Sequence, residues 1–215
     1  VRCQYPVKNW DQAYSLTIGR EGINPQPYYY SSIHEKYASF TDGFVSYSDG
    51  CHDDVNKVVW SMRGWDVEKP VREVLTEYCR FFFGPEVAST AAEGVFALEK
   101  NWEGPIIENG GIETTLKYWQ ELNKENPQLA DNWRWQMLGL RAHYDAYQRK
   151  RKIYEQGLEE KANEVLAKAG KIGSDKAMKK ALDIVNDAES EPVAQTLYDE
   201  IVSYCDDLFH SCGLQ

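Results

Sequence analysis

No apolar run in this chain approaches the ~20 residues that a membrane-spanning helix requires. Positive charge is also scarce: 24 Lys and Arg stand against 34 Asp and Glu, for a formal net charge of -10. A chain of that sign repels phosphate backbones and anionic lipid surfaces, so neither nucleic acid nor a membrane is an expected partner. The five cysteines, Cys3, Cys51, Cys79, Cys205 and Cys212, contain no C-x-x-C pair, which removes the zinc-ribbon and thioredoxin-like readings. Cys205, His210 and Cys212 lie near one another but match no common zinc spacing, so no metal is expected and the thiols read as free and buried. The signatures G-x-S-x-G, G-x-x-x-x-G-K-[ST], H-E-x-x-H and G-x-G-x-x-G are all missing, so hydride transfer, P-loop and zincin chemistry have no support and no cofactor is expected. Trp135, Leu138 and Gly139 match the opening of a tetratricopeptide pattern, but the following Tyr stands at 144 and nothing recurs at that period, which excludes a repeat solenoid.

What is present is enough apolar and aromatic surface for a real core. The chain has 215 residues, 42% of them hydrophobic, with seven Trp and fourteen Tyr. Such aromatics build cores, and they also build stacking platforms in carbohydrate-binding clefts. The densest collection of chemically able side chains lies in residues 43–65. Phe44-Val45-Ser46-Tyr47 alternate and read as a short strand. Ser48, Asp49, Cys51, His52, Asp53, Asp54 and Asn56 crowd a Gly-containing turn, and Val55, Val58, Val59, Met62 and Trp65 follow at helical spacing. A strand, a polar turn and an amphipathic helix form the unit from which (β/α) barrels present ligand-contacting groups.

Along the rest of the chain, residues 1–7 read as a strand, 10–18 as a short helix, 20–30 as a proline-interrupted loop and 31–40 as another short helix. Residues 67–83 read as a helix stopped by Gly84-Pro85. Helical patterns then fill 86–102, 112–126, 131–169, 174–188 and a segment opened by Glu191-Pro192. That last segment carries Val193, Leu197, Ile201, Cys205 and Leu208 on one stripe. The expected architecture is mainly α with a small α/β part: the last (β/α) units of a barrel in residues 1–84, then a helical extension or bundle in 85–215. The basic residues Arg141, Arg149, Lys150, Arg151 and Lys152 read as a solvated helix face.

The candidate site residues are those of the central turn. Asp49 and Asp53 fall on one face if the helix begins near Asp49, and two close carboxylates can divide acid and base roles. The same Asp49, Asp53 and Asp54 also suit helix capping and the first-turn preference for acids. His52 is either a ligand contact or a loop hydrogen-bonder. Gln4 and Tyr5 would end the first strand and face the same site as Tyr47. The aromatic series Trp133, Trp135, Tyr144, Tyr147 and Tyr154 reads as packing.

Arg2-Cys3-Gln4-Tyr5-Pro6-Val7, Trp10-Asp11, Gly19-Arg20-Glu21, Asn24-Pro25, Tyr47-Ser48-Asp49-Gly50 and Asp53-Asp54-Val55-Asn56-Lys57 carry a further signal. With Glu77-Tyr78-Cys79-Arg80 and Asn132-Trp133-Arg134-Trp135, they make the chain resemble the C-terminal part of large bacterial glycoside-hydrolase-like proteins. Those proteins are similar to hexosaminidase-like and glucuronidase-like (β/α)-barrel glycosidases. The resemblance implies a fragment cut at both ends, acting on a polysaccharide or glycan in a secreted or periplasmic setting, although the chain shows no targeting segment. It also implies that the main catalytic carboxylates lie upstream, leaving Gln4, Tyr5, Tyr47, Asp49, His52, Asp53 and Asp54 as sugar contacts. Two rival readings stand beside it: a non-catalytic helical binding or interaction module, and a metal-dependent hydrolase using His52, Asp53 and Asp54. Parallel strands at 1–7 and 44–47 would favour the barrel, and irregular chain there would favour the module.

Overall fold

The computed structural model describes residues 23–46 and 51–212. It is 78% helical, and no strand occurs among the described residues. Among the described residues nine α-helices follow in order: α1 (Pro27–Tyr37), α2 (Asp54–Trp65), α3 (Val71–Phe83), α4 (Ala88–Lys100), α5 (Gly111–Glu125), α6 (Trp133–Leu166), the single turn α7 (Ala169–Ile172), α8 (Ser174–Ser190) and α9 (Gln195–Cys212). The expected barrel units are therefore overturned, and the architecture is a helical bundle. Residues 44–46 are irregular. Four alternating residues do not make a strand without a neighbour to pair with. Phe44 instead packs near-perpendicular to the rings of His34 and Trp60, at 6.2 and 5.9 Å between centroids, and lies against the backbone of Gly64, where a Cβ would collide with it. Residues 1–7, 10–18 and Tyr47 lie outside the described residues.

The helix boundaries follow local chemistry. α1 begins inside the expected loop because Pro27 occupies its first turn, where a fixed φ favours the helix and the missing N–H is no loss. Pro70 moves the start of α3 from 67 to Val71. Gly84 ends α3 at φ 104°, a backbone conformation closed to most side chains. Asn132 caps α6: its side-chain oxygen accepts from the N–H groups of Arg134 at 3.0 Å and Trp135 at 3.3 Å.

One apolar core runs from α2 through the first half of α6, with Val59, Leu75, Ala91, Val95, Trp119 and Trp135 among its buried members. It continues across Gly84, since α3 packs on α4. At its centre Trp119 packs edge-on against Trp135, 5.2 Å between centroids, and Trp135 packs likewise against Phe83 at 5.1 Å. Gly94 makes this possible: a Cβ there would stand 2.9 Å from the Trp119 ring, whose Nε1 donates to the Gly94 carbonyl at 3.2 Å. A second cluster joins Ile23, Met137, Leu140, Tyr144, Ile201 and Leu208, and it seats α9 on α6. The apolar stripe expected on the last helix is thus real, although α9 starts at Gln195. α5 and α9 both pack on α6, which leaves a cleft among the three.

Candidate functional site

The sequence points to the central turn. Of its candidates, Gln4, Tyr5, Tyr47 and Asp49 lie outside the described residues; His52, Asp53 and Asp54 are described. His52 and Asp53 belong to a 3-10 turn, Cys51–Asp53, and the α-helix starts only at Asp54. Asp54 is held from two sides. Arg134 donates through Nε at 2.7 Å and through a terminal nitrogen at 3.3 Å, and the Tyr78 hydroxyl donates at 2.7 Å. Burial and the Asp54 carboxylate together push the Tyr78 phenol well above its ordinary pKa, so it stays a donor. The Arg134 guanidinium is itself stacked between Phe82 and Trp133, 3.7 and 4.0 Å from their ring centroids. This arrangement is a clamp joining α2, α3 and α6, and it commits Asp54 to the fold.

Asp53 stands at the N-cap position of α2 without making a capping hydrogen bond; it accepts from the Asn56 amide at 3.3 Å. Asn56 in turn donates to the Asn24 carbonyl at 2.9 Å and accepts from the Gln26 N–H at 2.8 Å. Its role is to fix the approach to α1. No group of three His, Cys, Asp or Glu side chains suited to a metal ion occurs among the described residues. Arg141 departs from the solvated-face reading: it is 1% exposed, 2.9 Å from Asp145, stacked 4.0 Å from the Trp102 ring centroid, and donates to the Ile23 carbonyl at 2.7 Å.

The richer site is the cleft among α5, α6 and α9, about 390 Å³ in volume. α9 lines it with Glu200, Ser203, Tyr204 and Asp207, spaced i, i+3, i+4, i+7 on the face next to its apolar stripe. α6 contributes Trp135, Gln136 and His143; α5 and its exit contribute Gln120, Asn123 and Asn126. Among the described residues the lining contains no Lys or Arg.

The polar groups in the cleft are ordered by one another. The Trp135 indole N–H can only donate, and it meets the Asn123 side-chain oxygen at 2.5 Å. That sets the Asn123 amide the other way round, so its NH₂ donates to the Tyr204 hydroxyl oxygen at 2.7 Å. With its oxygen accepting, the Tyr204 hydroxyl keeps its proton for a further acceptor. Burial raises the Tyr204 pKa, with Glu200 and Asp207 adding to the rise against the Asn123 hydrogen bond. Tyr204 can lie there because Gly139 faces it; a Cβ on Gly139 would stand 2.7 Å from the hydroxyl. His143, one turn further along α6 and 3% exposed, meets the Gly139 carbonyl through Nδ1 at 2.8 Å and Glu200 through Nε2 at 3.3 Å. A carbonyl only accepts, so Nδ1 carries a proton. Burial lowers the His143 pKa, outweighing the upward pull of the Gly139 carbonyl and Glu200.

Sequence reasoning missed this cleft because its groups come from helices far apart in the chain. Two signals were nevertheless present. Glu200, Ser203, Tyr204 and Asp207 repeat at helical spacing beside an apolar stripe, and Gly139 interrupts a strong helical pattern where a close approach is the usual reason. Comparison with known proteins adds no identity: no family model, curated protein or solved structure matches this chain, and none of the three identifies a glycoside-hydrolase origin.

Proposed function

We propose that this chain is a non-catalytic helical binding module that holds a glycan in the α5–α6–α9 cleft. The observation that carries the reading is the character of the cleft wall: amides, hydroxyls, an imidazole and two carboxylates, with no Lys or Arg among the described residues. Such a wall suits a ligand that offers many hydroxyl donors and acceptors and no negative charge. Fixed amides such as Asn123 favour it further, because little ordering is left to the moment of binding. Two features support binding over catalysis: the irregular chain at 44–46, and the commitment of Asp54 to Arg134 and Tyr78.

Calorimetric titration with a panel of neutral oligosaccharides, at millimolar ligand, tests the proposal. Saturable binding that is lost in Ser203→Trp, which fills the cleft from an exposed position, is the expected result. Binding that survives Ser203→Trp, or no binding across the panel, overturns it.

A further inference from the structure

His143 and Glu200 present an unusual pair. The Nδ1 proton is committed to the Gly139 carbonyl, and burial favours the neutral imidazole, which then offers only a lone pair at Nε2. That lone pair stands 3.3 Å from a Glu200 carboxylate oxygen, which is also an acceptor. The two are joined either by a second proton on the imidazole, which burial disfavours, or by a donor from the cleft that serves both. A nitrogen approaching from the cleft reaches each at an ordinary hydrogen-bond distance of about 2.7–3.2 Å, since such a triangle closes with a 3.3 Å base. A group with at least two donors and a positive charge fits this corner best: it satisfies the imidazole and neutralises the carboxylate together. The surroundings agree. Asp207 lies on the same face of α9, and among the described residues no Lys or Arg lines the cleft to compete. His143 is almost wholly buried while Glu200 keeps 44% of its side chain exposed, so the carboxylate is open to an incoming group and the imidazole forms the floor.

We propose that the His143–Glu200 corner is the seat of a primary ammonium group on the ligand. The inference rests on the glycan reading of the same cleft, and under that reading the ammonium belongs to an amino sugar. A lysine side chain offers the same chemistry, so the test separates the two sources.

The experiment titrates the full chain at pH 7 with the trimer of glucosamine, the trimer of N-acetylglucosamine and Nα-acetyl-lysine amide. The two trimers share their sugar framework, and acetylation removes the charge. The expected result is at least tenfold tighter binding of the glucosamine trimer than of its acetylated form. That preference should shrink to near parity in Glu200→Gln, whose fold is checked by circular dichroism. Binding of the lysine amide as tight as that of the glucosamine trimer, and equally sensitive to Glu200→Gln, upholds the ammonium seat and overturns the amino-sugar source. Equal binding of the two trimers overturns the seat and leaves the glycan reading standing. A charge preference that persists in Glu200→Gln assigns it to the general charge of -10 and also overturns the seat. Failure of all three ligands to bind overturns both this inference and the glycan reading.

Discussion

The two halves of α6 belong to one continuous helix yet live in different surroundings. From Trp135 to Ala146 every residue is buried, whereas after residue 147 only Leu158 and Ala162 are. The first half is gripped by α5, α9 and the aromatic core, and it carries the Arg134 clamp, the Arg141–Asp145 pair and the floor of the cleft. The second half runs out with α8 as its partner. There α8 buries only Ala177 and Ala181, and it leaves Met178, Leu182 and Val185 more than 40% exposed. Small residues allow close approach but remove little apolar area from water, so this arm adds less stability per residue than the core does. Stability and candidate chemistry therefore share one end of the helix.

The largest effect is expected where the core is densest. Trp119→Ala removes a fully buried ring and leaves Trp135 and Gly94 facing a void; a loss of about 3–5 kcal/mol is expected from denaturant unfolding. Asp54→Ala leaves Arg134 and Tyr78, both partly or wholly buried, without their acceptor; about 1–3 kcal/mol is expected, with ligand binding in the cleft unchanged. A binding defect with intact stability would return Asp54 to the functional site.

A smaller effect is expected from pH. The folded chain holds His143 below the ordinary histidine value of 6.5, so the unfolded chain takes up this proton more readily. The resulting stability is fully present above 6.5 and declines as pH falls through the lowered range. Glu200, Tyr204 and Asp207 are the titratable groups on α9 that face this region, and neutral Asn123 faces it from α5. His143→Gln should flatten part of the slope in melting temperature against pH. The smallest effect is reserved for the arm: Leu182→Lys, at a site 62% exposed, should change stability by no more than about 0.5 kcal/mol. A large loss there would mean that the exposed stripe is covered.

The helical part was legible in the sequence wherever periodicity was long. The spans for α4, α5 and α8 lie within two residues of expectation at each end, because apolar spacing sustained over several turns leaves few alternatives. The barrel expectation rests on residues 1–7, which lie outside the described residues, and on four alternating residues, Phe44 to Tyr47. So short a pattern does not separate a strand from the irregular chain seen at 44–46, where Phe44 plugs an aromatic corner. The carboxylates of the central turn drew attention through their density. Yet density does not reveal that Asp54 meets Arg134, 80 positions away. The cleft was hidden for the same reason: Asn123 meets Tyr204 across 81 positions, and only the packing of α5 and α9 on α6 brings them together.

The central claim is that ligand recognition belongs to the α5–α6–α9 cleft and that Asp54 in the central turn is structural. Nuclear magnetic resonance shift mapping of the labelled chain, titrated with the glucosamine trimer, tests this directly. The largest changes are expected on the Trp135 indole, the Asn123 amide and the backbone around His143 and Tyr204, with residues 51–54 unmoved. Changes concentrated at His52, Asp53 and Asp54, with a silent cleft, would contradict it.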